Sequence, residues 1–301
     1  MSTPAPHHPA GRQRGVALAM LLWMLAALSL LVSGVVYQAR TDVQLTALQR
    51  DQARTQAAAT GAAHLLLRDL LLARNDGSYG GSATFTARYT LGGLAITARA
   101  IPVSGLVDLN QAPAELLADL FHYTGRLSRD AAAQLAEALV ERRQPAGLEL
   151  GLDDHDAGNA IPLRVIEDLL RVPGMTRVVY DRVRTAIHTE PGGQPGVDPL
   201  AAPPGVLRTI AQGDDRLVDF IVDARQDGPA DASQLPSGLN LEHLAAGMST
   251  AYCLEIDVRL DDGRMAQQRI WADMAGGANG LPWRFTRVQP VEFTAHQRTK
   301  E

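Results

Sequence analysis

Cysteine is almost absent: Cys253 stands alone in 301 residues, so no disulfide can form within the chain even in an oxidising compartment. Its neighbours Tyr252, Leu254 and Ile256 mark it as a buried strand residue. Aromatic residues are scarce at 5%, while the apolar fraction reaches 46% with heavy use of alanine. That composition favours helices packed through small side chains over an aromatic-rich sandwich. A dense basic stripe is missing too. The formal charge of -5, from 33 acidic and 28 basic side chains, argues against an extended phosphate-binding surface, so nucleic acid is not expected as a partner.

Catalytic signatures are also lacking. The sequence contains no HExxH, no GxSxG, no glycine-rich phosphate loop ending in Lys–Ser/Thr and no paired cysteines. His64, His122, His155, His188, His243 and His296 are scattered and read as surface or capping residues. The carboxylate pairs Asp214–Asp215 and Asp261–Asp262 suit loops or turns. The reading is of a protein that is not an enzyme.

What is present is a long apolar run. Val16 to Val36 carries no formal charge, and at about 1.5 Å per residue it would give roughly 31 Å of helix, enough for a bilayer core of about 30 Å. Arg12 and Arg14 precede it, which favours a cytoplasmic N-terminus. No turn signal interrupts the chain until Asn75–Asp76–Gly77, so one helix is expected over 16–74, membrane-spanning at 16–36. Its outer half places Leu45, Leu48, Leu65 and Leu66 among polar residues, suited to lying partly on a domain and partly against neighbours.

Behind the helix, Thr84–Tyr89 and Leu94–Arg99 flank Gly92–Gly93 as a hairpin. AYCLEIDVRLDDGRMAQQRIWADM holds a second hairpin around Asp262–Gly263, and FTRVQPVEF offers a final short strand. If both hairpins share one antiparallel sheet, a helical domain is inserted between them. Asn110 or Gln111 before Pro113 can start its first helix, and Ser128 its next. The expected fold is α+β: a long N-terminal transmembrane helix on a small antiparallel sheet, with an all-helical insertion. Residues 75–103 and 234–301 form the two parts of the α/β domain and 104–233 the insertion.

RQRG followed by VALAMLLWMLAALSLLV resembles the class III signal of the type IV pilin superfamily. The segments VSGLVDLNQAPAELLADLF, LLRVPGMTRVVYDRVR and GVDPLAAPPGVLRTI resemble the K-type minor pseudopilin of bacterial type II secretion. The resemblance implies removal of residues 1–15 by prepilin peptidase, with the cut between Gly15 and Val16. Most pilins carry glutamate at the fifth mature position; Met20 here matches the K-type branch, in which the missing carboxylate marks a filament-tip subunit. A buried carboxylate needs a partner from a neighbouring subunit, and Met20 needs none. Met20, Trp23 and Gly34 are the expected assembly residues.

LLRVPGMTRVVYDRVR also resembles a helix-hairpin-helix, with Gly174 in its turn. Within an exported domain it reads as helix packing, while backbone contact with a DNA phosphate is the competing reading. Asp153, Asp154, Asp156 and Asn159, within GLDDHDAGN, are candidate calcium ligands, though a solvated loop fits the same residues and no EF-hand spacing is present. The resemblance implies calcium-stabilised loops, but the acidic, tryptophan-bearing stretch of the family is reduced here to ALVERRQPAGLELG. No other cofactor is expected.

The resulting expectation is a single-pass bacterial inner-membrane protein with its bulk in the periplasm. It would initiate or cap a pseudopilus in contact with other minor pseudopilins, the secretion platform, prepilin peptidase and an exported substrate. The alternative is a membrane-tethered periplasmic binding protein for an exported substrate or envelope component.

Overall fold

The computed structural model describes residues 14–81, 83–143, 162–226, 235–245, 247, 249–277 and 280–294. The chain divides into two compact units, Met1–Arg54 and Thr55–Glu301. Helix α1 (Arg14–Asn75) begins in the first and ends in the second. Alanine, leucine, arginine and glutamine favour the helix, and no proline interrupts it. It stops at Asp76–Gly77, where Gly77 takes a φ of 77° and the Ser78 amide donates to the Asp76 carboxylate at 2.9 Å.

In the first unit the apolar side chains of α1 from Leu18 to Val32 are exposed, among them Leu18, Met20, Leu22, Trp23 and Leu30. Among the described residues no helix is long and apolar enough to cross a membrane. The transmembrane part of the expected fold is therefore corrected, and the single-pass inner-membrane topology expected from it is corrected with it.

In the second unit α1 buries a small-residue stripe. Ala59, Ala62, Ala63, Leu66, Leu67 and Leu70 recur at three- and four-residue spacing and are fully buried. They cover one face of an antiparallel sheet formed by β1 (Phe85–Leu91), β2 (Leu94–Pro102), β5 (Ala251–Arg259), β6 (Met265–Asp273) and β7 (Arg284–Val288), in the order β1-β2-β5-β6-β7. Strand β8 (Glu292–Thr294) also pairs with β6. The FTRVQPVEF segment thus supplies two short strands, because Pro290 has no amide to continue a ladder. Alternation puts Ile96, Ala98, Leu254, Ile256 and Ile270 under α1, where alanines allow close approach of helix and sheet. Replacing Leu67 by alanine is expected to cost about 3 kcal/mol. Urea unfolding checks this, and a loss below about 1 kcal/mol would contradict the packing.

Between β2 and β5 in chain order lie α2 (Ala114–Asp119), α3 (Arg129–Arg143), α4 (Arg177–Val183), α5 (Pro204–Ile210) and α6 (Asp215–Gln226). They share a core that includes Leu116, Phe121, Leu139, Leu169, Val183 and Leu207. This region is not all-helical as expected. Strand β3 (Val107–Asp108) pairs in parallel with β4 (Ile187–His188), tying the chain that leaves the sheet to the chain that follows α4. Neither Asn110 nor Gln111 caps α2, whose N-cap is Pro113. The Asn110 amide instead reaches 53 residues along the chain, donating to the Leu163 carbonyl at 3.0 Å and accepting from its N–H at 2.8 Å.

Candidate functional site

The most elaborate polar arrangement lies within the second unit, where the helical region meets the sheet. Residues of β2, β5 and β6 alternate, so the side chains that turn away from α1 include Ile101, Cys253 and Trp271. These form a small apolar cluster with Val103 and Leu106. Around it the contacts are made by arginine. Arg269 donates to the Arg184 carbonyl at 3.1 Å and to Glu255 at 2.9 Å. Arg184, at the end of α4, forms a two-point pair with Glu292 on β8, at 3.0 and 2.9 Å. This pairing holds the Glu292 carboxyl below its ordinary range, chiefly through the hydrogen bonds from Arg184. Arg287 on β7 donates to the Arg164 carbonyl and the Thr189 hydroxyl and lies 3.2 Å from Glu190. Glu190 is 7% exposed and also accepts from the Thr286 hydroxyl at 2.9 Å.

A recess of about 610 Å³ opens at this seam, bordered by the carboxyl groups of Asp108, Glu190 and Asp273 and by Arg164, Arg284 and Arg287. Glu190 is paired with Arg287, and Asp273 with Arg284 at 3.1 Å. The charges are largely matched to one another. Asp108 is engaged in its own turn: it accepts from the Asn110 amide at 2.7 Å, and the Cα of Gly193 sits so close that an added Cβ would lie 1.7 Å from its Oδ2.

Burial pushes the Asp108 carboxyl up to about 6, against the opposing effect of the backbone donors and Arg143. A carboxyl raised in the folded state holds its proton more tightly there than in the unfolded chain. Its stabilising contribution is complete below the ordinary value of 3.8 and is lost as pH rises through about 6. Substituting Asp108→Asn, which keeps the acceptor for the turn, is expected to remove a fall in melting temperature between about pH 4 and 6. Identical pH profiles for the two proteins would contradict this assignment.

The other titratable groups nearby are poorly suited to proton transfer or nucleophilic attack. His188 is 1% exposed, and burial, with help from Arg287, lowers it to about 3, which keeps it neutral. Its Nδ1 accepts from the Glu190 amide. The Cys253 thiol is pushed up to about 12 by burial, which leaves too little thiolate for attack. No group of three or more His, Cys, Asp or Glu placed to hold a metal ion occurs among the described residues.

The residues singled out by sequence are not brought together here. Gly15 and Val16 fall within α1. Met20 and Trp23 are 72% and 81% exposed on it, and a Cβ added at Gly34 would meet nothing within 4 Å. Asp153, Asp154, Asp156 and Asn159, together with His155, His296 and the leader residues Arg12 and Gln13, lie outside the described residues. His64 accepts from the Trp283 indole at 3.2 Å, His122 Nδ1 lies 2.7 Å from the Leu127 carbonyl, and His243 pairs with Asp119 at 2.9 Å.

The Gly174 turn packs as a connector. Gly174 adopts a φ of 88°, Thr176 caps α4, and Leu169, Val179 and Val183 enter the helical core. The arginines around it have protein partners: Arg171 with Asp168, Arg177 with Asp181, and Arg182 with the Gly125 carbonyl. Sequence reasoning missed the seam arginines Arg184, Arg269 and Arg287. A signal was present, since every basic side chain but Lys300 is arginine, the residue suited to two-point pairing.

No family model and no curated protein matches the chain. Among solved structures, a chain from the crystal structure of the GspK-GspI-GspJ complex of the enterotoxigenic Escherichia coli type 2 secretion system is similar, with a TM-score of 0.53 and 16% identity. The match covers 83% of this chain and 99% of that one, and at this identity it is a likeness of fold.

Proposed function

We propose that the chain is a K-type minor pseudopilin, a non-catalytic subunit that joins companion pseudopilins and initiates or caps the pseudopilus of a type II secretion system. The observation that carries the reading is the fold likeness, extending over 83% of the chain, to a component of a GspK-GspI-GspJ complex. Two features of the chain support it. The first unit exposes an apolar helix surface over Leu18–Val32, which costs free energy in water until other apolar surfaces cover it. The helices between β2 and β5 add bulk to the second unit, which suits a position at the end of a filament better than one repeated along its shaft.

In this reading prepilin peptidase cuts between Gly15 and Val16, and the secretion platform and companion subunits are the partners. Met20 needs no counter-ion from a subunit above it, as befits the tip. Trp23 and Gly34 are the proposed contacts, Trp23 by its exposed ring and Gly34 by letting another backbone come close. An exported substrate remains a proposed partner of the second unit.

The experiment is co-purification of the full chain with the other minor pseudopilins of the same system, followed by size-exclusion chromatography and mass measurement. A stoichiometric complex is expected, and a chain that stays monomeric beside all of them would reject the reading. Gly34→Leu is expected to weaken the complex about tenfold, roughly 1.4 kcal/mol, without changing thermal unfolding. The binding-protein alternative has the seam recess in its favour, but there Glu190, Asp273, Arg284 and Arg287 are already paired with one another.

A further inference from the structure

The sheet face turned away from α1 carries a nearly complete lattice of charge pairs. Arg99 bridges Glu255 and Asp257 at 3.1 and 2.8 Å. Asp257 also accepts from Gln267 at 3.0 Å, and Arg269 is paired with Glu255. Cross-strand matching of this kind leaves little for another molecule to recognise.

The lattice fails at one place. Arg88 on β1 and Arg259 on β5 are exposed on this face, and neither has a partner among the described residues. The register sets Arg88 beside Thr97 and Arg259 beside Ala95, so β2 runs between them. Met265 follows Arg259 across the sheet and is 37% exposed. These residues border a trough of about 400 Å³. Ala95 and Thr97 of β2 lie between the two arginines, and Asp257, which borders the trough beside Arg259, is already engaged by Arg99 and Gln267. Strand spacing of about 4.8 Å and a rise of about 3.4 Å per residue put the two arginine Cα atoms roughly 12 Å apart. An extended peptide spans that distance between residues three or four positions apart.

We propose that this trough docks an extended segment of a partner protein carrying two carboxylates at that spacing around small apolar residues. Guanidinium groups hold carboxylates by two-point hydrogen bonds, and the partner's charge would complete the lattice. A nucleic acid or an anionic lipid surface fits less well. Two arginines beside Asp257, on a chain with a net charge of -5, make too small a basic field to hold a polyanion. The assignment stands on the sheet face alone and does not rest on the pseudopilin reading.

The probe is a fluorescein-labelled, N-acetylated heptapeptide with glutamates at its second and sixth positions and valine, threonine and valine between them. Fluorescence anisotropy follows its binding to the full chain at low salt. Binding is expected to weaken at least tenfold in the double variant Arg88→Gln and Arg259→Gln, and equally when the two glutamates become glutamines. Both arginines are exposed, so thermal unfolding of the variant should match that of the parent and serves as the folding control. Glutamine peptide binding as tightly as glutamate peptide, no detectable binding of either, or indifference to the two substitutions would overturn the proposal. Tighter arginine-dependent binding of phosphatidylglycerol vesicles or single-stranded oligonucleotide than of the peptide would overturn the choice of a protein partner.

Discussion

Replacing Gly105 by alanine is expected to lower stability by about 3 kcal/mol, because the chain has no room for a methyl group there. An added Cβ would lie 2.3 Å from the carbonyl carbon of Ala201, 2.5 Å from its oxygen and 2.6 Å from its Cβ. Two of these are backbone atoms, which cannot rotate aside as a flexible side chain can. Ala201 is itself held, since its amide donates to the Asp198 carbonyl while the Asp198 amide donates to the Ser104 carbonyl at 2.7 Å. The contact therefore joins the turn after β2 to the turn before α5, and opening it loosens the seam. For a folded unit of this size the melting temperature should fall by about 6–12 °C. Gly80→Ala, where an added Cβ meets nothing within 4 Å, is the matched control and should change little. Equal melting temperatures for the two variants would contradict the close approach.

The second large effect is expected from Arg287→Ala. Its partner Glu190 is 7% exposed, so removing the guanidinium strands a carboxylate that water barely reaches. Breaking a buried pair from one side costs about 3 kcal/mol. The pair itself contributes far less than this figure, because both charges lose hydration on folding. Adding Glu190→Gln to Arg287→Ala should therefore recover more than half of the loss. A double-mutant cycle in urea measures the coupling. If the single substitution shifts stability by less than about 0.5 kcal/mol, the seam is not held in the way described.

The local parts of this fold were legible in the sequence. Gly92–Gly93 and Asp262–Gly263 sit at the tips of β1–β2 and β5–β6, with Gly92, Gly93 and Gly263 all at positive φ. Cys253 lies in β5 at 3% exposure, as its apolar neighbours indicated. Ser128 caps α3 through its side chain, as its place before the helix indicated.

The features that escaped prediction are those set by distant parts of the chain. The pairing of β3 with β4 joins segments of two residues each, too short to carry a periodicity. Arg184 meets Glu292 across 108 residues, and Asn110 turns from the expected cap to Leu163 because that partner is brought there by the fold. The need for glycine at 105 arises only when Ala201 arrives against it. The membrane-spanning expectation for Val16–Val36 is not met: among the described residues no helix is long and apolar enough to cross a membrane. The calcium candidates Asp153, Asp154, Asp156 and Asn159 lie outside the described residues, so calcium binding there stays a proposal.

The most direct test of the pseudopilin reading is the mass of the protein's N-terminal peptide from cells with and without prepilin peptidase. The account predicts a chain that starts at Val16 when the peptidase is present and keeps its leader when the peptidase is absent. A leader retained in both strains, or a cut elsewhere that ignores the peptidase, would contradict it.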